Sequence, residues 1–276
     1  MASMLPTLDE GFTSGSLKGS YAVWSINQGG RAETASLGVL TFDGAGGVRG
    51  STVTNRPGSA FGQRVLVTAT IQGRYVIDDD GSGYGSARVS SAPSEGGGAE
   101  TTATLLITKA EATSGVPRAL EFSWMEDAVD AGTGGLTMLL GVRHPDDGAF
   151  SLASFSGTYG GPGIGHGGYT PAAAIGIGAV NFHGDGNFTA VDIQNLPGTL
   201  FGERRNATFD TENGQYVVNE DGTGMIIAPG GRAPLVITRS RTENGVRICL
   251  EYYFVTVDLH PITGNLIKTT VSKRLV

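Results

Sequence analysis

Residues 38–46 read Gly-Val-Leu-Thr-Phe-Asp-Gly-Ala-Gly, and residues 178–186 read Gly-Ala-Val-Asn-Phe-His-Gly-Asp-Gly. Each stretch is a short alternating apolar run closed by a glycine-rich turn, the pattern of a strand entering a hairpin. Their offset is 140 residues, and the same offset carries Pro57-Gly58-Ser59-Ala60-Phe61-Gly62-Gln63-Arg64 onto Pro197-Gly198-Thr199-Leu200-Phe201-Gly202-Glu203-Arg204. Outward in both directions the correspondence continues. Gly19-Ser20-Tyr21 returns as Gly157-Thr158-Tyr159, and Gly73-Arg74-Tyr75-Val76 returns as Gly214-Gln215-Tyr216-Val217. Asp80-Gly81-Ser82-Gly83 returns as Asp221-Gly222-Thr223-Gly224.

Beyond that block the offset falls to 130. Ile107-Thr108-Lys109 pairs with Ile237-Thr238-Arg239, Leu120-Glu121-Phe122 with Leu250-Glu251-Tyr252, and Gly134-Gly135-Leu136 with Gly264-Asn265-Leu266. The drop from 141 to 130 locates an insertion in the first copy. It coincides with residues 90–100, a Ser, Pro and Gly stretch that reads as a loop. Matching blocks in one order, with one interpretable insertion, establish an internal duplication.

Each copy is a series of short β-branched and aromatic runs, such as 35–42, 65–71, 102–107, 119–125 and 136–142, separated by Gly, Asp and Asn turns. No segment carries a helical stripe. About eight strands per copy is the number that closes a small barrel. The expected fold is therefore all-β, two tandem, pseudo-symmetric antiparallel β-barrels of about eight strands each, with a two-sheet sandwich as the competing architecture. The expected boundaries are a disordered leader at 1–16, a first repeat at 17–150 and a second at 151–276.

Composition narrows the function classes. Glycine reaches 45 of 276 residues without a collagen period, hydrophobic residues make up 39% and charged ones 16%. This suits many tight turns around a packed core rather than disorder. A net charge of −7 and only short basic stretches argue against nucleic acid as a partner. No run approaches 18 apolar residues, so no membrane partner is expected. Residues 1–16 lack the basic and apolar regions of a signal peptide, which makes a cytoplasmic protein the default expectation. The lone Cys249 excludes an internal disulfide and reads as a packed thiol. Four histidines without paired spacing, and a 78–81 acidic run lacking calcium-loop spacing, give no metal site.

Leu17-x-Gly19-x-Tyr21, Gly38-x-Leu40-x-Phe42-Asp43-Gly44-x-Gly46, Gly73-x-Tyr75 and Asp80-Gly81-x-Gly83 resemble small calycin-like barrels, the lipocalin-like and allene-oxide-cyclase-like groups. Such barrels open with Gly-x-Trp and close with a basic residue packed on that ring. Here Gly19-x-Tyr21 with Arg143, and Gly157-x-Tyr159 with Lys273 or Arg274, are similar, with Tyr in place of Trp. The resemblance implies a pocket for an apolar molecule in a barrel mouth and, in the cyclases, ring closure without metal or organic cofactor.

Differences between the copies nominate residues. Gln63 becomes Glu203, Asp43 becomes His183, and the second copy gains His166 within the glycine-rich run 160–168, which reads as a mobile loop over a barrel mouth. Arg204 offers a planar fork for an oxygen, Glu203 and Glu251 offer carboxylates for proton transfer, and His166 titrates near neutral pH. Glu203 and Arg204 are adjacent on a strand and so point to opposite faces. The Leu-Glu-Phe and Leu-Glu-Tyr strands leave open whether Glu121 and Glu251 face in, where burial would raise their pKa, or out. Candidate catalytic residues are thus Glu203, Arg204, Glu251 and His166. Candidate ligand-binding residues are Trp24, Arg64, Trp124, Tyr252 and Tyr253, the tryptophans reading first as packed core rings. The expected activity is a cofactor-independent cyclase or isomerase of a small apolar molecule. The alternatives are a non-catalytic carrier of such a molecule and a purely structural tandem barrel, and any of the three is compatible with a homo-oligomer.

Overall fold

A computed structural model describes residues 11–28, 33–57, 64–112, 115–127, 136–144, 148–166, 174–198, 203–229, 231–260 and 264–275. Eight antiparallel strands form the first barrel: β1 (Lys18–Gln28), β2 (Thr34–Asp43), β3 (Gly47–Pro57), β4 (Arg64–Ile77), β5 (Tyr84–Pro93), β6 (Ala99–Glu111), β7 (Arg118–Glu126) and β8 (Leu136–Arg143). They run up and down in chain order, and β8 pairs with β1 to close the wall. The second barrel repeats this with β9 (Ser156–His166), β10 (Ala174–His183), β11 (Asn187–Pro197), β12 (Arg204–Val218), β13 (Thr223–Ala228), β14 (Gly231–Glu243), β15 (Val246–His260) and β16 (Gly264–Arg274), closed by β16 on β9. Two tandem eight-stranded antiparallel barrels are the architecture, and the sandwich alternative falls.

Turn chemistry explains the hairpins. Asp43 Oδ1 accepts from the amides of Ala45 and Gly47, at 2.7 and 2.8 Å, while Gly44 and Gly46 take the positive φ that the reversal needs. Asp80 and Asp221 do the same work at matching places, each accepting from an amide and a hydroxyl two residues on. The acidic run at 78–81 is thus a turn.

Each base is plugged in the same way. A single 3-10 turn, Ser14–Ser16 before β1 and Leu152–Ser154 before β9, crosses the end of the barrel. The Tyr75 hydroxyl donates to the carbonyls of Ser14 and Leu17, and the Tyr216 hydroxyl to those of Leu152 and Phe155. Of the expected leader, residues 12–16 belong to the fold. Residues 1–10 lie outside the described residues, but Phe12 bridges to Gly81 and 13–16 cap the first barrel.

Above the plugs sit two aromatic cores. Tyr21, Phe42, Tyr75 and Phe122 meet edge to face in the first, as do Phe155, Tyr159, Phe182, Tyr216 and Tyr252 in the second. Tyr21 donates to the Ala119 carbonyl and Tyr159 to the Cys249 carbonyl, both at 2.8 Å and both beside a bulge in the facing strand pair. Burial holds both phenols far above the ordinary tyrosine range, so they stay protonated donors. The Arg143 guanidinium lies over Gly19, and that of Arg274, rather than Lys273, lies by Gly157.

Within residues 90–100 only 94–98 turn between strands, and the flanking residues are paired. They lengthen the β5–β6 hairpin, so that β4 is paired along Ala69 to Ile77. In the second barrel the shorter hairpin pairs β12 only along Gln215 to Val218 among the described residues. Eleven residues shared between two strands correspond to roughly 18 Å of wall at about 3.3 Å per residue. Local composition suggested a loop throughout, but 90–93 and 99–100 find strand partners.

The barrels touch through unlike faces. Ala22, Ala35, Leu37 and Val39 on the outside of β1 and β2 pack against Val236, Tyr253 and Val255 on the outside of β14 and β15. Trp24 stacks on Tyr253 with ring centroids 5.3 Å apart. Beside this apolar seam, Glu121 accepts from Lys109 and from Arg239 of the second barrel, and Glu251 takes Arg239 and Lys273.

Candidate functional site

Alternation along each strand sorts its residues into an inward and an outward set, and register carries the sorting from strand to strand. In the second barrel the buried rings Tyr159, Phe182, Phe188 and Tyr252 fix the inward set. Continuing away from the base, that set runs Gly161, Gly163 and Gly165 on β9, and Gly178, Gly176 and Ala174 on β10. On β11 it runs Ala190, Asp192, Gln194 and Leu196, and on β12 Thr211, Phe209 and Ala207. Aromatic packing ends where Val180, Ala190 and Phe254 cover the core cluster. Above it one side of the wall is nearly bare of side chains.

Asp192 and Gln194 lie across that bare side. Each pairs with a glycine, Gly178↔Asp192 and Gly176↔Gln194. A Cβ placed on Gly176 would come within 3.2 Å of Asp192 Oδ1 and 3.1 Å of Gln194 Cγ, and one on Gly178 within 3.2 Å of the same carboxylate oxygen. These glycines are the cradle in which the two polar side chains rest. The Gln194 amide donates to Asp192 Oδ2 at 2.5 Å, fixing one carboxylate oxygen and ordering the other side chain, which is 9% exposed. Phe254 stacks on Tyr252, and Phe209 shares the Asp192 face of β12 but is 44% exposed, because the short β13 does not reach it. The Tyr252 hydroxyl is buried and finds no hydrogen-bond partner among the described residues. Burial raises its pKa, partly offset by the Ser272 side chain.

Of the residues singled out from sequence, Tyr252 lies beneath this space, and Glu203, Arg204, Glu251, Arg64, Trp24, Trp124 and Tyr253 do not converge on it. Arg204 lies on the outward set of β12 and is exposed, with Nε donating to Asn195 Oδ1 at 2.6 Å and Nη2 to its carbonyl. Arg64 repeats the clamp on the buried Asn55 and adds the Glu33 carbonyl, and burial lowers its pKa to about 10. The repeated Pro-Gly-x-x-Phe-Gly-[Gln/Glu]-Arg block therefore ends in a strap across the β3–β4 or β11–β12 hairpin. Its residues 58–63 and 199–202 are outside the described residues. Glu203 precedes β12 and is exposed. Glu251 faces outward into the ion-paired cluster and also accepts from Thr238.

His166 is the last residue of β9, its backbone paired with Ile267, so the run 160–166 is strand rather than a mobile loop. Glycine is a turn signal locally, but here β9 is paired on both edges. Trp24 and Tyr253 meet each other between the barrels instead of lining a pocket. Trp124 faces inward, 4% exposed within the first core, and Tyr252 faces inward in the second. Sequence reasoning passed over Asp192 and Gln194. The signal was present as Gly161-x-Gly163-x-Gly165 and Gly176-x-Gly178, whose period of two empties one strand face.

Outside the same barrel lies a shallow groove of about 410 Å³, lined in part by Thr158, Asn181, Thr189, Asp210 and Glu212. Among the described residues no group of three or more His, Cys, Asp or Glu is placed to hold a metal, and no helix is long and apolar enough to cross a membrane. Neither the family models nor the curated proteins compared with the chain match it.

Proposed function

We propose that the second barrel binds a small, largely apolar molecule in its glycine-walled half, with Asp192 and Gln194 reading the molecule's one polar group. The observation that carries this reading is the pairing of Asp192 and Gln194 with Gly178 and Gly176. Polar side chains on an inner wall cleared of neighbours suit the few fixed polar groups of an otherwise apolar site. Phe254 and Phe209 supply ring surface on the same inward set. A carboxylate accepts hydrogen bonds, so Asp192 favours a ligand that donates, such as a hydroxyl or an amine. A calycin-like lineage, proposed from the Gly-x-Tyr and closing-arginine pattern, accords with a ligand held in a barrel mouth.

N-phenyl-1-naphthylamine, a neutral apolar fluorophore with one N–H, is the probe for the test. Saturable uptake with one site per chain is expected. Asp192→Ala should weaken it about tenfold, equivalent to about 1.4 kcal/mol. Gly176→Leu, which drives a side chain into Asp192 and Gln194, should abolish it. Thr52→Ala, at the position of Asp192 in the first barrel, should leave it unchanged. Uptake that survives Gly176→Leu, or is lost equally in Thr52→Ala, would overturn the assignment.

A cofactor-independent cyclase or isomerase is the second reading, favoured by Asp192 being a carboxylate, a group that moves protons as well as binding them. Incubation of the protein with its co-purified ligand separates the two. A carrier returns the molecule unchanged, and an enzyme returns an isomer.

A further inference from the structure

The interface between the two barrels uses one face from each, and the duplication therefore leaves a matching face on each without its counterpart. Ala35 and Leu37 of β2, buried beneath the second barrel, correspond at the 140-residue offset to Ile175 and Ile177 of β10. Ile175 and Ile177 are 59% and 65% exposed. Val191 and Ile193 continue the same outward face on β11, Ile177 pairing with Ile193 and Ala179 with Val191. Four β-branched aliphatic side chains on adjacent strands form a contiguous apolar patch of the sort that soluble proteins reserve for contacts. On the other side, Val236, Tyr253 and Val255 cover β1 and β2, and at the 130-residue offset they correspond to Leu106, Ser123 and Met125. Met125 is 56% exposed and pairs across β7 and β8 with Met138, 53% exposed.

We infer that a second copy of this chain seats the β6–β8 face of its first barrel, centred on Met125 and Met138, on the β10–β11 face of the second barrel, centred on Ile177 and Ile193. The occupant is argued from the molecule itself. The same pair of faces already meets once within the chain, in the one arrangement where both are supplied by neighbouring barrels. The contact is heterologous, since the two surfaces differ, and it propagates head to tail rather than closing as a two-fold dimer. Between chains the stacked Trp24 and Tyr253 are replaced by Pro162 and Ser123 at the corresponding positions. The contact is accordingly looser and depends on concentration.

Sedimentation velocity over a hundredfold concentration range tests this. The 28.4 kDa chain should give way to larger species as concentration rises. Ile177→Lys and Met125→Lys, each at an exposed position, should each remain monomeric with unaltered thermal unfolding, and Ile177→Ser should weaken association without adding charge. The deciding experiment mixes the two lysine variants. Each retains the face that the other has lost, so the mixture should form one-to-one dimers and nothing larger. A wild-type chain that stays monomeric throughout overturns the inference. So does a Met125→Lys chain that associates like wild type, or a mixture that stays monomeric. Monomeric protein that instead co-sediments with phosphatidylcholine vesicles through Ile177 would assign the patch to a lipid surface and overturn it equally.

Discussion

Val23, Ser25 and Asn27 of β1 stand where β9 has Gly161, Gly163 and Gly165, and Ser36, Thr52 and Thr54 stand where the second barrel has Gly176, Asp192 and Gln194. In the first barrel these side chains fill the inner wall with one another. Ser36 and Thr54 share a hydrogen bond of 2.7 Å, and the Asn27 amide donates to Thr137 at 3.0 Å. In the second barrel the same wall is reduced to backbone, and the polar atoms are gathered onto β11. Strand order, base plug and aromatic core are shared, while the β11–β12 bulge and the shorter β13–β14 hairpin are not. The difference along this wall lies in side-chain volume at alternate positions on two strands. A duplicated scaffold can thus carry two different inner walls on one strand order.

The comparison breaks most violently if the shared core is not shared in energy. Phe42→Ala and Phe182→Ala each remove the ring on which the other aromatics converge, and each should cost about 3–5 kcal/mol by denaturant unfolding. Equal losses support equivalent cores. A loss confined to one variant would show that one barrel leans on the other. A smaller contrast is expected at the hairpin straps. Arg64→Ala withdraws donors from the buried Asn55 and from the Glu33 carbonyl, for about 1–3 kcal/mol. Arg204→Ala removes an exposed strap and should cost less than about 1 kcal/mol. The mildest expectation is a slope. His144, between the barrels, is buried with Nε2 2.6 Å from the Ile237 carbonyl, and burial lowers its pKa. The unfolded chain then takes up the proton more readily than the folded one, so stability is full above the ordinary histidine value near 6.5 and falls as pH drops below it. His144→Gln should flatten thermal unfolding between pH 7 and pH 5. An unchanged slope would remove His144 from the account.

How much of this was legible in the chain depends on which interaction decides each feature. Turns are decided within four residues, so Asp43 to Gly46 and Asp80 to Gly83 announce their hairpins, and the repeat of such blocks reveals the duplication. Strand faces are decided by partners far away. Trp24 and Tyr253 read as lining residues because large apolar residues fall on both faces of β1 and β15, one set facing the core and the other the neighbouring barrel. Residues 160–166 read as a loop because glycine breaks structure when nothing supports it, and support came from pairing on both sides. Asp192 attracts no notice as a single acidic residue in a strand. It becomes distinctive once Gly178 is known to lie opposite it.

The short β13–β14 hairpin has a consequence of its own for traffic. A barrel complete along its whole height admits a guest only through its rim, past whatever crowns the strands. In the second barrel, residues 204–214 of β12 meet no β13 backbone among the described residues, and the ring of Phe209 stands in that notch. The wall thus has a side door with an aromatic doorpost. Exchange of the proposed ligand there would need the swing of one ring rather than the parting of hydrogen-bonded strands.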